Sequence, residues 1–316
     1  MEPIIPMEPQ SSENIPAKDE WIAQTKWDGV RVLTYYDGQA VRLYNRKLNE
    51  RTFHYPEITD IKAYCDAKSV ILDGEIIALG PDGKPSFHEV MRRDGVRRTE
   101  KLAQIKNVVP IAYMIFDVIF YNGKWINAYS LRQRNQILSD IILPDNQIQL
   151  VSSHEDGAAL FKVMKQYGME GIIMKRLDSQ YMIGEKKDIW LKIKNYRDLI
   201  AVIGGYTLRG EIINAVLLGL YDDQGRFLYI GHSGTGKLSQ QEWKTLTEIL
   251  RPLTRKERPF ANKPERQTNV YWVQPMITVK LQFAEWTEGL SLRQPSLQAF
   301  VDVPPAECKF SVDRLS

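Results

Sequence analysis

Alternating apolar and polar positions dominate the first half of the chain and predict a strand-rich domain. Residues 30–36 and 40–44 form two alternating runs around the turn dipeptide Asp37-Gly38, which is typical of a β-hairpin. Segments 131–142 and 158–167 carry capping residues and helical apolar spacing and predict two short helices. The pattern indicates an α+β domain with mostly antiparallel strands. Further strands are predicted at 70–79, 111–121, 170–175 and 189–194.

The pattern changes near Asp198, after which short strands follow one another closely. Five strands with one helix among them, at 239–250, predict a small β-barrel of the OB type. Residues 1–20 hold four prolines and scattered acidic side chains, so we expect an extended arm that leads to the first strand. The predicted domains are therefore 21–197 and 198–316. Strands of the second domain are predicted at 199–206, 212–221, 226–231, 270–279 and 281–286.

The composition excludes several classes of protein. With 43% hydrophobic and 26% charged residues among 316, the chain is not of the disordered type. No apolar run approaches the roughly 20 residues that span a bilayer, and the acidic start of the chain is unlike a secretion signal. Cys65 and Cys308 lack the spacing of a zinc site or of a disulfide framework. We therefore expect a cytoplasmic protein without a membrane segment.

Charge is distributed unevenly along the chain. The net charge is +3, but residues 1–20 sum to −4 and the remaining residues to +7. Local basic clusters favour a polyanionic partner, because phosphate binding requires only local charge, whereas a solvated surface loop is the alternative for either cluster alone. The clusters consist of Arg92, Arg93, Arg97, Arg98 and Lys101, and of Arg251, Arg255, Lys256, Arg258, Lys263 and Arg266.

One glycine-rich segment resembles a phosphate-binding loop by spacing alone. Residues 231–237 read Gly-His-Ser-Gly-Thr-Gly-Lys and lie between a predicted strand and a predicted helix. Leu238 stands where such a loop needs a Ser or Thr hydroxyl for Mg²⁺, and the surrounding strands lack a parallel βαβ unit. A glycine-rich connection is therefore the preferred interpretation.

The chemistry of the chain is predicted from short motifs that follow one another in order. The first, at residues 26–31, reads Lys-Trp-Asp-Gly-Val-Arg and presents an amine nucleophile just after a strand. Single motifs also have plain structural interpretations: 70–79 can be a bulged core strand and 190–194 an amphipathic strand with solvated lysines. The further motif residues are Arg46, Asp73-Gly74-Glu75, Phe116-Asp117, Glu170-Gly171 with Lys175, Lys192 with Lys194, and Leu292-Arg293-Gln294-Pro295-Ser296.

In these motifs the sequence resembles the covalent nucleotidyltransferases, specifically the ATP-dependent DNA ligases, and among them the ligase module of bacterial DNA ligase D. The resemblance covers nearly the whole chain, including Tyr-Pro-Glu at 55–57 and Val-Ile-Gly-Gly-Tyr at 202–206. It implies an adenylation domain of the nucleotidyltransferase (ATP-grasp-like) fold followed by an OB-fold domain. Many relatives have Ser-Arg-Asn-Gly where residues 45–48 read Asn-Arg-Lys-Leu, so the contact of Arg46 with DNA stays open.

Lys26 is the predicted nucleophile. A lysine must lose a proton before it attacks the α-phosphorus of ATP, and loss of water together with the neighbouring cations Lys192 and Lys194 would favour that loss. The same two lysines can neutralise the charge that grows on the α-phosphate oxygens. By the resemblance, Thr25 contacts the nucleotide and Arg293, on the second domain, orients the pyrophosphate leaving group. The product of the attack would be lysyl-AMP.

The other predicted site residues bind metal, base or phosphate. Glu75 and Glu170 offer hard oxygen ligands for Mg²⁺, which Mn²⁺ can replace, or a contact to ribose. Phe116 can stack on adenine, with a plain core position as the alternative. Arg31 is suited to ribose or phosphate oxygens and Arg46 to the 5′-phosphate of a nick.

The resemblance implies an ATP- and Mg²⁺-dependent ligase that seals 3′-OH/5′-phosphate nicks in three steps: lysyl-AMP formation, AMP transfer to the 5′-phosphate, and attack by the 3′-OH. Its partners would be nicked duplex DNA and a Ku-like end-binding protein or a separate polymerase. The protein would act as a nucleoid-associated monomer in DNA repair, recombination or end joining. RNA ligation or capping, and an inactive DNA-end-binding module, are the alternatives. We expect a stand-alone ligase or an excised module, because the polymerase and nuclease domains of ligase D do not fit in 316 residues.

Overall fold

The computed structural model describes residues 1–310 except 235, 237, 266 and 288. The chain divides into two compact units, Met1–Asn195 and Tyr196–Ser316. Within the described residues, no helix has the length and apolar character needed to cross a membrane.

Ten strands and four α-helices form the first unit. The strands are β1 (Glu8–Ser11), β2 (Trp21–Thr25), β3 (Val30–Tyr36), β4 (Val41–Asn45), β5 (Val70–Ala78), β6 (Ile111–Tyr121), β7 (Lys124–Trp125), β8 (Ile148–Leu150), β9 (Gly171–Arg176) and β10 (Lys186–Lys194). The α-helices are α1 (Phe87–Asp94), α2 (Thr99–Val108), α3 (Leu131–Ile141) and α4 (Gly157–Gln166). Short 3₁₀ helices lie at Lys18–Glu20, Thr52–His54, Pro56–Ile58 and Ile61–Ala63.

The strands of the first unit form two sheets. One has the order β4-β3-β5-β6-β7, with β8 parallel to β6, and the other has the order β1-β10-β9-β2. The larger sheet is buried on both faces, because Val32 and Leu72 pack in the main core while their neighbours Leu33 and Ile71 pack with Trp190 of the smaller sheet. A site between the two sheets can therefore draw on side chains from both.

Most predicted elements of the first unit are present, with two corrections. The predicted arm contains a strand, β1, which pairs with β10 in parallel, so the first strand lies within the arm rather than after it. Helices α1 and α2 lie at 87–108, where none was predicted. Helix α1 is only eight residues long, and its buried positions hold the charged Arg93 and Asp94 beside the apolar Val90, so its apolar pattern is too brief to mark a helix.

The second unit contains β11 (Arg197–Arg209), β12 (Ile212–Tyr221), β13 (Phe227–Ser233), α5 (Gln240–Leu250), β14 (Thr254–Arg255), β15 (Tyr271–Val273), β16 (Thr278–Phe283), β17 (Glu285–Trp286), β18 (Leu292–Arg293) and β19 (Ser296–Val301). Short 3₁₀ helices lie at Arg251–Leu253 and Pro305–Glu307. The long strand β11 pairs with β12, β15 and β16, so the sheet curls around one core, as in an OB-like barrel.

The second unit also departs from the prediction in detail. The strand expected at 270–279 is two strands, because Pro275 lies between β15 and β16 and cannot donate to a ladder. Strand β19 was not predicted. In the glycine-rich segment 231–237, Thr235 and Lys237 lie outside the described residues, as does Arg266 of the second basic cluster.

Candidate active site

Lys26 follows directly after β2 and lies between the two sheets. Its backbone N–H donates to the carbonyl of Gly171 on β9 at 2.9 Å. On the other side the chain passes close to β5, since a Cβ on Gly29 would lie 2.1 Å from the carbonyl oxygen of Ile76. The glycine of the first motif is therefore required by a backbone approach that holds the lysine between the sheets.

Glu170 joins two of the predicted lysines. Its Oε2 lies 2.5 Å from Nζ of Lys26, and its Oε1 lies 3.3 Å from Nζ of Lys194. The next residue, Gly171, has a φ of 138°, and a Cβ there would lie 2.1 Å from the Ile193 carbonyl oxygen. The Glu-Gly pair is thus needed to turn the backbone into β9 while the carboxylate faces the amine.

Burial shifts the pKa of two further predicted residues. It raises the pKa of Glu75 to about 8, although the charges of Lys26 and Arg31 act in the opposite direction. It lowers the pKa of Lys192, and the neighbouring lysines 194, 186 and 26 lower it further. An added cation would therefore stabilise Glu75 as a carboxylate, and an added phosphate would stabilise Lys192 as an ammonium.

An open pocket of about 550 Å³ lies beside these charged side chains. That volume lies in the usual range for a small-molecule site. Glu170 adjoins the pocket through its contact with Lys26, and Lys194 in turn contacts Glu170. The predicted site residues that line it are Thr25, Lys26, Arg31, Arg46, Glu75, Phe116 and Lys192.

Arg31 is engaged inside the protein. Its guanidinium donates to both carboxylate oxygens of Asp73, at 2.9 and 2.6 Å, to the Met7 carbonyl at 2.7 Å and to the Tyr181 hydroxyl at 3.2 Å. The expected contact with ribose or phosphate stays a prediction, restricted to the remaining Nη1 hydrogen. The observed geometry makes Arg31 a support for the pocket wall.

Phe116 lines the pocket and also carries two cations against its ring. Lys175 Nζ lies 4.4 Å from the ring centroid, and Arg31 Cζ lies 5.3 Å from it. Trp190 meets the same ring edge-on. The ring is therefore both packed and accessible, so stacking on adenine stays a prediction.

Arg293 belongs to the second unit. It lies in β18, and its Nη1 is 2.5 Å from Glu285 Oε1 on β17. Its role toward pyrophosphate stays a prediction.

Of the first basic cluster, Arg93 does not face solvent: it is fully buried and donates to both carboxylate oxygens of Glu57, at 2.6 and 2.7 Å. That arginine is structural.

Lys175 and Gln24 are two of the pocket residues that received no predicted role, although Lys175 belongs to the motif that begins at Glu170. Lys175 is 2% exposed, and its Nζ donates to the Phe116 carbonyl at 3.3 Å. The alternation of β9 places Ile173 and Lys175 on the pocket side, a signal that was available in the sequence. Gln24, on β2, is buried at the pocket, with its amide donating to Ser153 Oγ at 3.1 Å. Nothing in its sequence context marks it.

A divalent cation at this site would need ligands from the substrate as well as from the protein. Among the described residues, no three His, Cys, Asp or Glu side chains form a metal cluster. Mg²⁺ is commonly held by one or two carboxylates together with substrate phosphates. Glu75 lines the pocket and Glu170 contacts Lys26, so both carboxylates are suited to such a shared site.

The sheets, the pocket lysine and the curled second sheet define a protein of the nucleotidyltransferase fold with an OB-like unit. Residues 8–194 match the family described as ATP dependent DNA ligase domain, and residues 209–301 match ATP dependent DNA ligase C terminal region. The chain belongs to the ATP-dependent DNA ligase family, which confirms the resemblance inferred from its motifs.

The chain spans only 37% and 53% of the length of two curated relatives that it matches, whereas it covers nearly the whole of two solved ligase structures. The multifunctional non-homologous end joining DNA repair protein LigD of Mycobacterium tuberculosis (H37Rv) is 30% identical over 295 residues, covering 91% of this chain and 37% of that protein. A DNA ligase of Thermococcus onnurineus is 28% identical, covering 93% and 53%. The crystal structure of the ligase domain of M. tuberculosis LigD is 27% identical and covers 98% of both chains, with a TM-score of 0.53. A mycobacterial DNA ligase D complexed with ATP and MES is 28% identical, with a TM-score of 0.54 and coverage of 96% and 97%.

Proposed function

We propose that this protein seals 3′-OH/5′-phosphate nicks in duplex DNA with ATP, through a lysyl-AMP intermediate. The observation that carries the proposal is the 2.5 Å contact between Lys26 Nζ and Glu170 at a pocket lined by cations. An amine nucleophile next to a proton acceptor, with cations for phosphate, is the arrangement that covalent nucleotidyl transfer requires.

In the first step Lys26 Nζ would attack the α-phosphorus of ATP. The new P–N bond forms as the bond to the pyrophosphate oxygen breaks, and the amine proton passes to Glu170 Oε2 or to water. Lys192 and Lys194 would neutralise the charge that develops on the α-phosphate oxygens. Arg293 would orient the leaving pyrophosphate in this step alone.

Glu75 and Glu170 would hold Mg²⁺ together with phosphate oxygens of the substrate. The ion supplies further neutralisation of phosphate charge when it is bound. The raised pKa of Glu75, about 8, supports this assignment, because a buried carboxylate gains most from a nearby cation. A contact of either carboxylate with ribose is the alternative.

The apolar wall of the pocket would receive adenine. Phe116 offers a ring face or edge for stacking. Gln24 uses its amide N–H for Ser153, which leaves its carbonyl oxygen available to accept from an exocyclic amine. We infer that Thr25, between Gln24 and the nucleophile, contacts the nucleotide.

DNA would enter as a nick whose 5′-phosphate is bound by Arg46. After AMP transfer to that phosphate, the 3′-OH would displace AMP and close the strand. Relatives carry names of non-homologous end joining proteins, so we infer a role in DNA repair. A Ku-like end-binding protein or a separate polymerase is the proposed partner, and the ligase would act as a monomer.

The proposal is tested by the intact mass of the protein after incubation with ATP and Mg²⁺. The mass should increase by one AMP residue, and the adduct should be lost in hot acid. Lys26→Ala and Lys26→Arg should abolish the adduct, whereas Lys62→Ala, at an exposed lysine outside the pocket, should keep it. Adduct formation in Lys26→Ala at the wild-type level would refute the nucleophile. Sealing assays with DNA against RNA-containing strands, and with ATP against GTP, separate DNA ligation from RNA ligation and capping.

A further inference from the structure

The segment before β2 is fixed to the first unit by a buried methionine. Met7 is fully buried; its N–H donates to the Tyr181 hydroxyl at 3.2 Å, and its carbonyl accepts from Arg31 Nη1 at 2.7 Å. β1 then pairs with β10, with Glu8 opposite Lys186. The backbone position of Glu8 is therefore set by core packing and by a strand ladder.

The Glu8 side chain lies beside the arginine that we assign to the nick phosphate. Its Oε1 is 3.3 Å from Arg46 Nη1, and both residues line the pocket. The two side chains are 35% and 58% exposed, so a ligand can reach them. The charge of Glu8 also acts on Lys192, whose pKa it raises against the stronger effects of burial and neighbouring lysines. Glu8 is thus an anion placed among the phosphate-binding cations.

We propose that Glu8 acts as an internal counter-anion of Arg46, which a DNA phosphate must displace, and so sets the affinity of this site for DNA. The inference rests on the proposed ligase function, in which the ligand is the 5′-phosphate of a nick. Carboxylate and phosphate use the same guanidinium donors, so the two anions compete for one site. Because β1 is anchored, the displaced carboxylate stays near the phosphate and repels it.

The size of the effect follows from the exposure of the pair. Exposed ion pairs contribute about 0.2 to 1 kcal/mol, which corresponds to about 1.4-fold to fivefold in a binding constant. Glu8→Gln removes the charge at nearly constant size. We therefore expect it to bind a nicked duplex up to about fivefold more tightly. The slope of the logarithm of the binding constant against the logarithm of the salt concentration should become steeper by up to about 0.9, since one more phosphate is neutralised without a competitor.

The experiment measures the dissociation constant of a nicked duplex with a 5′-phosphate at several salt concentrations, by fluorescence anisotropy without ATP. The variants are Glu8→Gln, Arg46→Gln and the double variant. Glu2→Gln is the matched control, because it removes the same charge from an exposed residue of the same segment that does not line the pocket. Thermal unfolding confirms that each variant is folded.

The proposal is supported if Glu8→Gln binds more tightly and with a steeper salt slope. Neither change should appear in Glu2→Gln or when Glu8→Gln is added to Arg46→Gln. Weaker binding in Glu8→Gln would overturn it and make Glu8 a positioning residue for Arg46. An equal gain in Glu2→Gln or in the double variant would also overturn it, as an effect of net charge. If Arg46→Gln binds like wild type, the proposal fails while the ligase function can stand. The ligase function fails separately, if wild-type protein forms no lysyl-AMP.

Discussion

Lys175 provides a test of how the protein supports a buried cation beside the pocket. The residue is 2% exposed, and its ammonium lies 4.4 Å from the ring centroid of Phe116 and 4.1 Å from that of Trp190. Burial lowers the pKa of Lys175 to about 7, although the carboxylates of Asp117 and Asp73 act to raise it. Arg31 and Arg134 add to the lowering. The charged form is therefore destabilised in the folded protein relative to the unfolded chain.

The sign of the pH dependence follows from this difference. The ordinary lysine pKa is 10.5, so between pH 7 and 10.5 the unfolded chain binds more protons at this residue than the folded protein. The free energy of unfolding should therefore rise with pH in that window, by up to about 1.4 kcal/mol per pH unit. The destabilisation is fully present below the folded-state pKa of about 7 and has disappeared above the ordinary pKa of 10.5. Over the whole window it is on the order of 5 kcal/mol at most.

The perturbation is Lys175→Met, which keeps a long side chain and removes the titrating group. Urea unfolding gives the free energy of unfolding of wild type and variant at each pH. From about pH 7 to about pH 9 the difference should change by up to about 2.7 kcal/mol in favour of wild type. Lys165→Met is the control, because Lys165 also lies over a ring, 4.9 Å from the Phe161 centroid, but is exposed. A difference that is constant with pH for Lys175→Met would refute the reasoning.

Two other predictions concern the reaction steps and the DNA surface. The Arg293→Ala variant should ligate from ATP about 100-fold or more slowly than wild type but should still seal a pre-adenylated nick. The Glu170→Ala variant should fail on both substrates. Single-turnover sealing of the pre-adenylated nick measures this, and equal defects would contradict a role of Arg293 in the first step alone. Changing the exposed Arg97, Arg98 and Lys101 together to Gln should reduce the salt slope of nick binding by up to about 2.7, with little effect on lysyl-AMP formation. An unchanged slope and affinity would place the DNA contact elsewhere.

Elements with a long apolar pattern could be predicted from the sequence. Elements held in place by pairing with other parts of the chain could not. β6 occupies the predicted range 111–121, because its apolar residues mark it as a strand buried on both faces. β1 has the polar sequence Glu-Pro-Gln-Ser, and only its ladder with β10 makes it a strand. α1 contains Arg93 and Asp94 at buried positions, which are tolerated because each pairs with a side chain from a distant part of the chain, Glu57 and Tyr55 respectively. Such pairings are invisible in a single sequence.

The same distinction applies to the motif residues of the site. A buried charge must be paired, so each charged motif residue either has a partner in the framework or faces a ligand. Asp73 and Glu75 lie on one face of β5, yet Asp73 is fully buried against Arg31 while Glu75 lines the pocket. Asp117 accepts from Nε and Nη2 of Arg134, at 2.7 and 3.0 Å, and that arginine belongs to none of the motifs. The sequence identifies which residues carry charge, but which charges remain available to ATP and DNA depends on cross-strand and helix-to-strand distances that only the folded structure provides.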